Sequence, residues 1–119
     1  MTGGTDKGLS LSPLVNVLTK TSKYPVKALY LLSGSATEKL QAELKKSRKE
    51  FFGPFDSLEE LLTLAKSQFE KDGKNLSSNK KQDPEEIFVF SPGATSFGMF
   101  TNEFDRGNKY MTAVKRIFT

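Results

Sequence analysis

Apolar positions recur at helical spacing in several stretches of the chain and run almost unbroken in others, with polar, glycine-rich joints between them. Leu14, Val15 and Leu18 form an i, i+1, i+4 stripe, which predicts an amphipathic helix ending near Thr21. Ser12 stands where a side-chain oxygen can cap that helix, and Pro13 suits its first position because no N–H is lost there. Val26 to Leu32 reads as a buried strand, and its near-continuous apolar character predicts a parallel sheet covered on both faces. After the turn Ser33-Gly34-Ser35, the pair Ser35 and Glu38 has capping-box spacing. The predicted helix runs to about Lys46 with Leu40 and Leu44 inward.

Glu50 to Phe52 is a candidate short strand that Gly53-Pro54 should end. Ser57 and Glu60 repeat the capping-box pattern before a helix whose Leu58, Leu61, Leu62, Ala65 and Phe69 should be buried. Asp72 to Pro84 has almost nothing apolar and reads as a flexible polar loop. Glu86 to Ser91 is a second clear strand, and Pro92 to Ser96 a tight turn. Phe97, Met99, Phe100 and Phe104 are expected in the core. A last helix, Arg106 to Phe118, carries Tyr110, Val114 and Ile117 on one face.

Alternating helices and strands predict an α/β fold, a small Rossmann-like layer with a mostly parallel sheet. In such sheets ligands bind beyond the strand C-termini. The loops expected there are Ser33-Gly34-Ser35, Gly53-Pro54, Ser91 to Ser96 and the opening Gly3 to Gly8. Only Met1-Thr2 precede that first glycine-rich loop, short of a usual strand. The expectation is that the upstream strand or strands of the complete domain lie outside this chain.

Composition narrows the chemistry. The 119 residues, 36% hydrophobic and 27% charged, suit one globular domain. Cysteine and histidine are both absent, which removes thiol chemistry, any Ser-His arrangement and an ordinary zinc site. No apolar run approaches the roughly 20 residues of a membrane span. No secretory h-region follows Met1. The net charge of +4 raises the question of nucleic acid. The cations cluster in Lys45-Lys46-Ser47-Arg48-Lys49 and in Lys80-Lys81, without interleaved aromatics, so a solvated face is the better account.

Ser91-Pro92-Gly93-Ala94-Thr95-Ser96-Phe97 continuing through Asp105-Arg106-Gly107 resembles the C-terminal signature of the Mur ligases. Gly3-Gly4-Thr5-Asp6-Lys7-Gly8, followed by Ser12-Pro13-Leu14, is similar to the GG-x-x-K loop and downstream S-P-L of the D-glutamate-adding branch. Leu29-Tyr30-Leu31-Leu32-Ser33-Gly34 fits as well, so the resemblance covers nearly the whole of residues 1–119, excepting the polar loop 72–84.

The resemblance implies a Rossmann-like C-terminal domain that holds the amino acid in ATP-dependent amide formation. It also implies D-glutamate and UDP-N-acetylmuramoyl-L-alanine as substrates in the cytoplasm. ATP and Mg²⁺ would be bound mainly outside this chain, which would hold neither and be inactive alone. Nucleic-acid and membrane partners are not expected, and a monomer is. By position, Lys7 would pair with one carboxylate of D-glutamate, and the Ser96 hydroxyl with the other, helped by backbone N–H groups near Phe97 and Glu103. Gly4, Thr5, Asp6, Thr95 and Asn102 would support these loops. A dicarboxylate needs such a cation and such donors, because charge-assisted hydrogen bonds are the strong ones.

Gly98 stands where the family commonly has Asp, and Glu103 where an aromatic is frequent. Two other readings are a related ligase domain for another amino acid, such as a folylpolyglutamate synthase-like one, and a basic nucleic-acid-binding module. No Walker-type loop is present, since Gly3 to Gly8 lacks its spacing.

Overall fold

The computed structural model describes residues 1–20, 25–75, 87–92 and 98–119. Its element order is β1 (Thr2–Gly3), α1 (Ser12–Thr19), β2 (Tyr30–Leu32), α2 (Ser35–Lys46), β3 (Phe52–Phe55), α3 (Leu58–Asn75) and α4 (Glu103–Phe118). The strands form one sheet in the order β1-β2-β3. Both pairings are parallel, with Thr2 opposite Leu31 and Tyr30 opposite Phe52. This is the small Rossmann-like α/β layer that the alternating pattern predicts.

Period-two alternation in β2 splits the core between two faces. Leu29 and Leu31 pack with Val15 of α1 and Leu40 and Leu44 of α2. Tyr30 and Leu32 pack with Leu58, Leu61, Leu62 and Ala65 of α3 and Ala113 of α4. Leu31, Leu44 and Leu61 are wholly excluded from solvent. Burial on both sides is why β2 reads as a continuous apolar run.

The short β1 is held from two directions. On its far side from β2, residues 87–92, expected within a strand from Glu86 to Ser91, are assigned no strand but run parallel to β1. Met1 N donates to Val89 O (2.8 Å), Ser91 N to Met1 O (3.0 Å) and Gly3 N to Pro92 O (2.9 Å). Along this segment Phe88 meets Phe69 and Phe118, and Phe90 stacks on Tyr110 at 4.3 Å. The alternate residues Ile87 and Val89 stay exposed. Thr2–Gly3 is thus a strand ahead of the glycine-rich loop, with neighbours on both sides satisfying its backbone groups.

Several local expectations are corrected. The α1 cap is Leu11, and Ser12 lies inside the helix. The hydroxyl that accepts from Ser12 N belongs to Ser10 (3.3 Å). The strand expected from Val26 narrows to Tyr30–Leu32, since Lys27 and Ala28 are exposed and find no ladder. Gly53-Pro54 lies within β3 rather than ending it. Proline is tolerated there because β3 is an edge strand, where one side of the backbone needs no donor.

At α2 the cap residue is Gly34, with no side-chain cap bond, so the Ser35–Glu38 box does not form. At α3 half of the predicted box does form, as Ser57 Oγ accepts from Glu60 N (3.1 Å). Asp72 to Asn75 extend α3 rather than opening a loop, and the rest of that loop, 76–84, lies outside the described residues. α4 begins at Glu103, before the expected Arg106. Phe69 is 42% and Phe104 73% exposed, so neither is a core residue, whereas Met99 and Phe100 pack against the α3–α4 cluster.

Candidate functional site

The path of the chain marks a candidate site. From β1 it moves through β2 to β3, with α1 and α2 on one face. It then returns across the opposite face through α3 and reaches segment 87–92, beyond β1. The direction of travel reverses between β1 and that segment. The helix after β1, α1, and the helix after that segment, α4, pack on opposite faces of the sheet, and the C-terminal ends of two such neighbours are the usual ligand position in open α/β sheets. Gly3 to Gly8 leaves one end and Pro92 the other.

Described residues of the two motifs, taken from opposite ends of the sequence, meet here. Thr2 Oγ1 donates to Pro92 O (2.5 Å), beside the Gly3 N bond to the same oxygen. Gly98 comes close to Thr5, for a Cβ at residue 98 would lie 3.4 Å from Thr5 Oγ1. The Gly98 φ is 101°. A side chain there would be strained whatever space it had.

The loop is clamped to the start of α2. Gly4 N donates to Thr37 Oγ1 (3.2 Å), and Gly4 O accepts from Ala36 N (3.0 Å). The buried Thr37 hydroxyl in turn donates to Leu32 O. Gly34 O accepts from Thr37 N (3.0 Å) and Glu38 N (3.2 Å). These early α2 donors are thus consumed by the chain itself, and this helix end is a loop anchor rather than an anion cradle.

Beyond Gly4, Asp6 N donates to Ser35 Oγ (2.9 Å), and Asp6 Oδ1 accepts from Gly8 N (3.0 Å). The Asp6 carboxylate also pairs with Lys39. The Lys39 ammonium, followed by the Gly8 N–H, holds the Asp6 pKa below its ordinary value. Between Asp6 and Gly8, Lys7 is exposed. Sequence reasoning singled out Lys7 but missed Ser35, Thr37 and Lys39, which hold its loop. Ser35 and Lys39 are one helical turn apart, yet nothing local names a partner on a distant loop.

On the other side, Asn102 caps α4, its Oδ1 accepting from Asp105 N (2.8 Å). Asp105 accepts from Thr101 N (3.0 Å) and pairs with Lys109 (3.0 Å), and these contacts, Thr101 first, lower its pKa. Glu103 opens α4 and is exposed. Thr95, Ser96 and Phe97 lie outside the described residues. The described residues hold no group of three or more His, Cys, Asp or Glu able to bind a metal ion. No helix among them is long and apolar enough to cross a membrane.

No family model matches the chain. No solved structure matches it closely enough to carry a comparison. Among curated proteins it is similar to the UDP-N-acetylmuramoylalanine–D-glutamate ligase of Treponema pallidum (strain Nichols), with 40% identity over 116 residues, 98% of this chain and 18% of that protein. The proteins of the same name from Borreliella afzelii (strain PKo) and Roseiflexus sp. (strain RS-1) are 39% and 34% identical over 94% and 95% of this chain, and over 21% of their own lengths. The chain thus spans about a fifth of the relatives it matches. Homology that runs through nearly its whole length places this chain in the Mur ligase family, as a piece consistent with the C-terminal domain of the D-glutamate-adding ligases.

Proposed function

We propose that the chain is the amino-acid-holding portion of an ATP-dependent ligase. The complete enzyme would join D-glutamate to UDP-N-acetylmuramoyl-L-alanine in the cytoplasm, for peptidoglycan synthesis. The observation that carries this reading is the meeting of the Gly3–Gly8 loop with Pro92 and Gly98 beyond the end of β1, with Lys7 exposed beside it. The names of the relatives supply D-glutamate as the amino acid.

In this reading the Lys7 ammonium meets one carboxylate of D-glutamate. The Ser96 hydroxyl and the main-chain N–H groups near Phe97 and Glu103 meet the other. Glu103 contributes through its backbone, because its carboxylate would repel a like charge. Gly4, Thr5 and Asp6 shape the first loop, while Thr95 and Asn102 shape the second. ATP and Mg²⁺ belong to parts of the ligase outside this chain. The sequence carries no Walker-type loop for the nucleotide. The protein is expected to act as a monomer without nucleic acid or membrane.

A proton–nitrogen NMR titration with D-glutamate, with L-glutamate as control, tests the reading. Shifts concentrated at Gly4 to Gly8 and Ser96 to Glu103, larger for the D isomer and lost in Lys7→Ala, are the expected result. A well-dispersed spectrum that millimolar D-glutamate leaves unmoved overturns the claim that this chain alone holds the amino acid.

A further inference from the structure

We infer that Asp6 and Lys39 form a clasp that fixes where the Lys7 ammonium is presented, so that both are positioning residues for the amino-acid site. The inference rests on Lys7 as the ligand group proposed above, and concerns what holds that group in place.

Main-chain bonds of the loop to α2 hold Gly4, through Ala36 N and Thr37 Oγ1. For residues 6–8 the anchoring bonds run through Asp6. Its N–H donates to Ser35 Oγ, its Oδ1 accepts from Gly8 N and its Oδ2 pairs with Lys39. Lys7 is thereby bracketed, tied through Asp6 on one side and Gly8 on the other. Ser35 and Lys39 lie one turn apart on α2, so both reach the same loop residue. Their helix is itself fixed by Leu40, 2% exposed, and the fully buried Leu44.

The arrangement answers a specific problem. Glycines at 3, 4 and 8 leave the loop backbone many conformations, and a lysine side chain adds more. Holding the backbone on both sides of Lys7 removes most of that freedom before any ligand arrives, which is what preorganisation requires. The Asp6 side chain is 17% exposed and the Lys39 side chain 62%. A pair this accessible contributes little to global stability. Its consequence is local, in the order of residues 6–8.

The test uses the full 119-residue chain and its Asp6→Asn, Lys39→Met and Lys39→Arg variants, with Lys7→Ala beside them. Nitrogen relaxation of the residue 6–8 amides reads loop order, and D-glutamate titration reads binding. Asp6→Asn and Lys39→Met should both mobilise these amides and leave the rest of the spectrum in place. Each should weaken D-glutamate binding by up to about fivefold, the double variant should be no worse than either alone, and Lys39→Arg should retain most of the binding.

Unchanged relaxation in Asp6→Asn overturns the clasp. So does a mobile loop with unweakened binding that Lys7→Ala still abolishes, because Lys7 then works without being held. If the unaltered chain binds no D-glutamate, the failure belongs to the proposed function of the isolated chain. Loop order then decides the clasp by itself: mobilised residue 6–8 amides in both charge-removing variants sustain it, and rigid ones overturn it.

Discussion

Gly34 sits so close to Gly4 that a Cβ at residue 34 would lie 2.1 Å from the Gly4 carbonyl oxygen. The turn after β2 and the loop after β1 are in backbone contact, and the Gly34 φ of 153° adds a conformation that L side chains rarely adopt. Gly34→Ala should therefore cost about 1–3 kcal/mol, the usual range for a strained local backbone. It should also shift the Gly4 to Gly8 amides. Urea denaturation and a proton–nitrogen spectrum check both, and unchanged loop amides would refute the contact.

Thr37 is 1% exposed, and its hydroxyl accepts from Gly4 N while donating to Leu32 O. Valine has the same shape without the oxygen. Thr37→Val strands two backbone groups and should cost about 1–3 kcal/mol, whereas Thr37→Ser should cost clearly less. Denaturant midpoints for the two variants settle the comparison.

Exposure separates apolar residues that the pattern alone treats alike. Leu61, fully buried, should lose about 2–5 kcal/mol as Leu61→Ala. Phe104, 73% exposed, should change stability by no more than about 0.5 kcal/mol as Phe104→Ala. A large loss at Phe104 in the purified chain would contradict its placement.

Asp6 and Asp105 both have pKa values lowered from 3.8, by Lys39 with Gly8 N–H and by Thr101 N–H with Lys109 respectively. A carboxylate with a lowered folded pKa stabilises fully above its unfolded value. That contribution disappears as pH falls through the folded value, so the loss falls below pH 4. Both groups are on the surface, so the effect should be small and reduced by salt. Asp6→Asn should flatten the acid limb of the stability profile in that window. An identical limb in the variant would show that the Asp6 contacts do not persist in solution.

The isolated chain should hydrolyse no ATP and form no amide bond. A phosphate-release assay checks this, and turnover that co-purifies with the 119-residue chain would overturn it.

Much of the helical framework was legible. The limits of α2 follow from the Ser33-Gly34 turn and from Leu40 and Leu44, because helix spacing and glycine turns are local properties. The capping oxygens were not legible. Ser35 has the spacing of a cap yet gives its oxygen to Asp6 N, a competitor on a distant loop. Phe69 and Phe104 failed in another way, since periodicity assigns a face without saying what covers it.

For the site, the sequence by itself determined the family motifs, the candidate Lys7 and the α/β alternation that puts loops at one sheet edge. These depend on residue identity and near-neighbour spacing. Only the tertiary structure decided that Thr2–Gly3 is a strand, because its backbone bonds come from Leu31–Leu32 on one side and Val89 to Pro92 on the other. It also decided that Asp6 meets Ser35 and Lys39, and that Gly98 meets Thr5. These contacts join residues far apart in sequence. They depend on the buried leucines of β2, α2 and α3, whose packing sets where each loop lies.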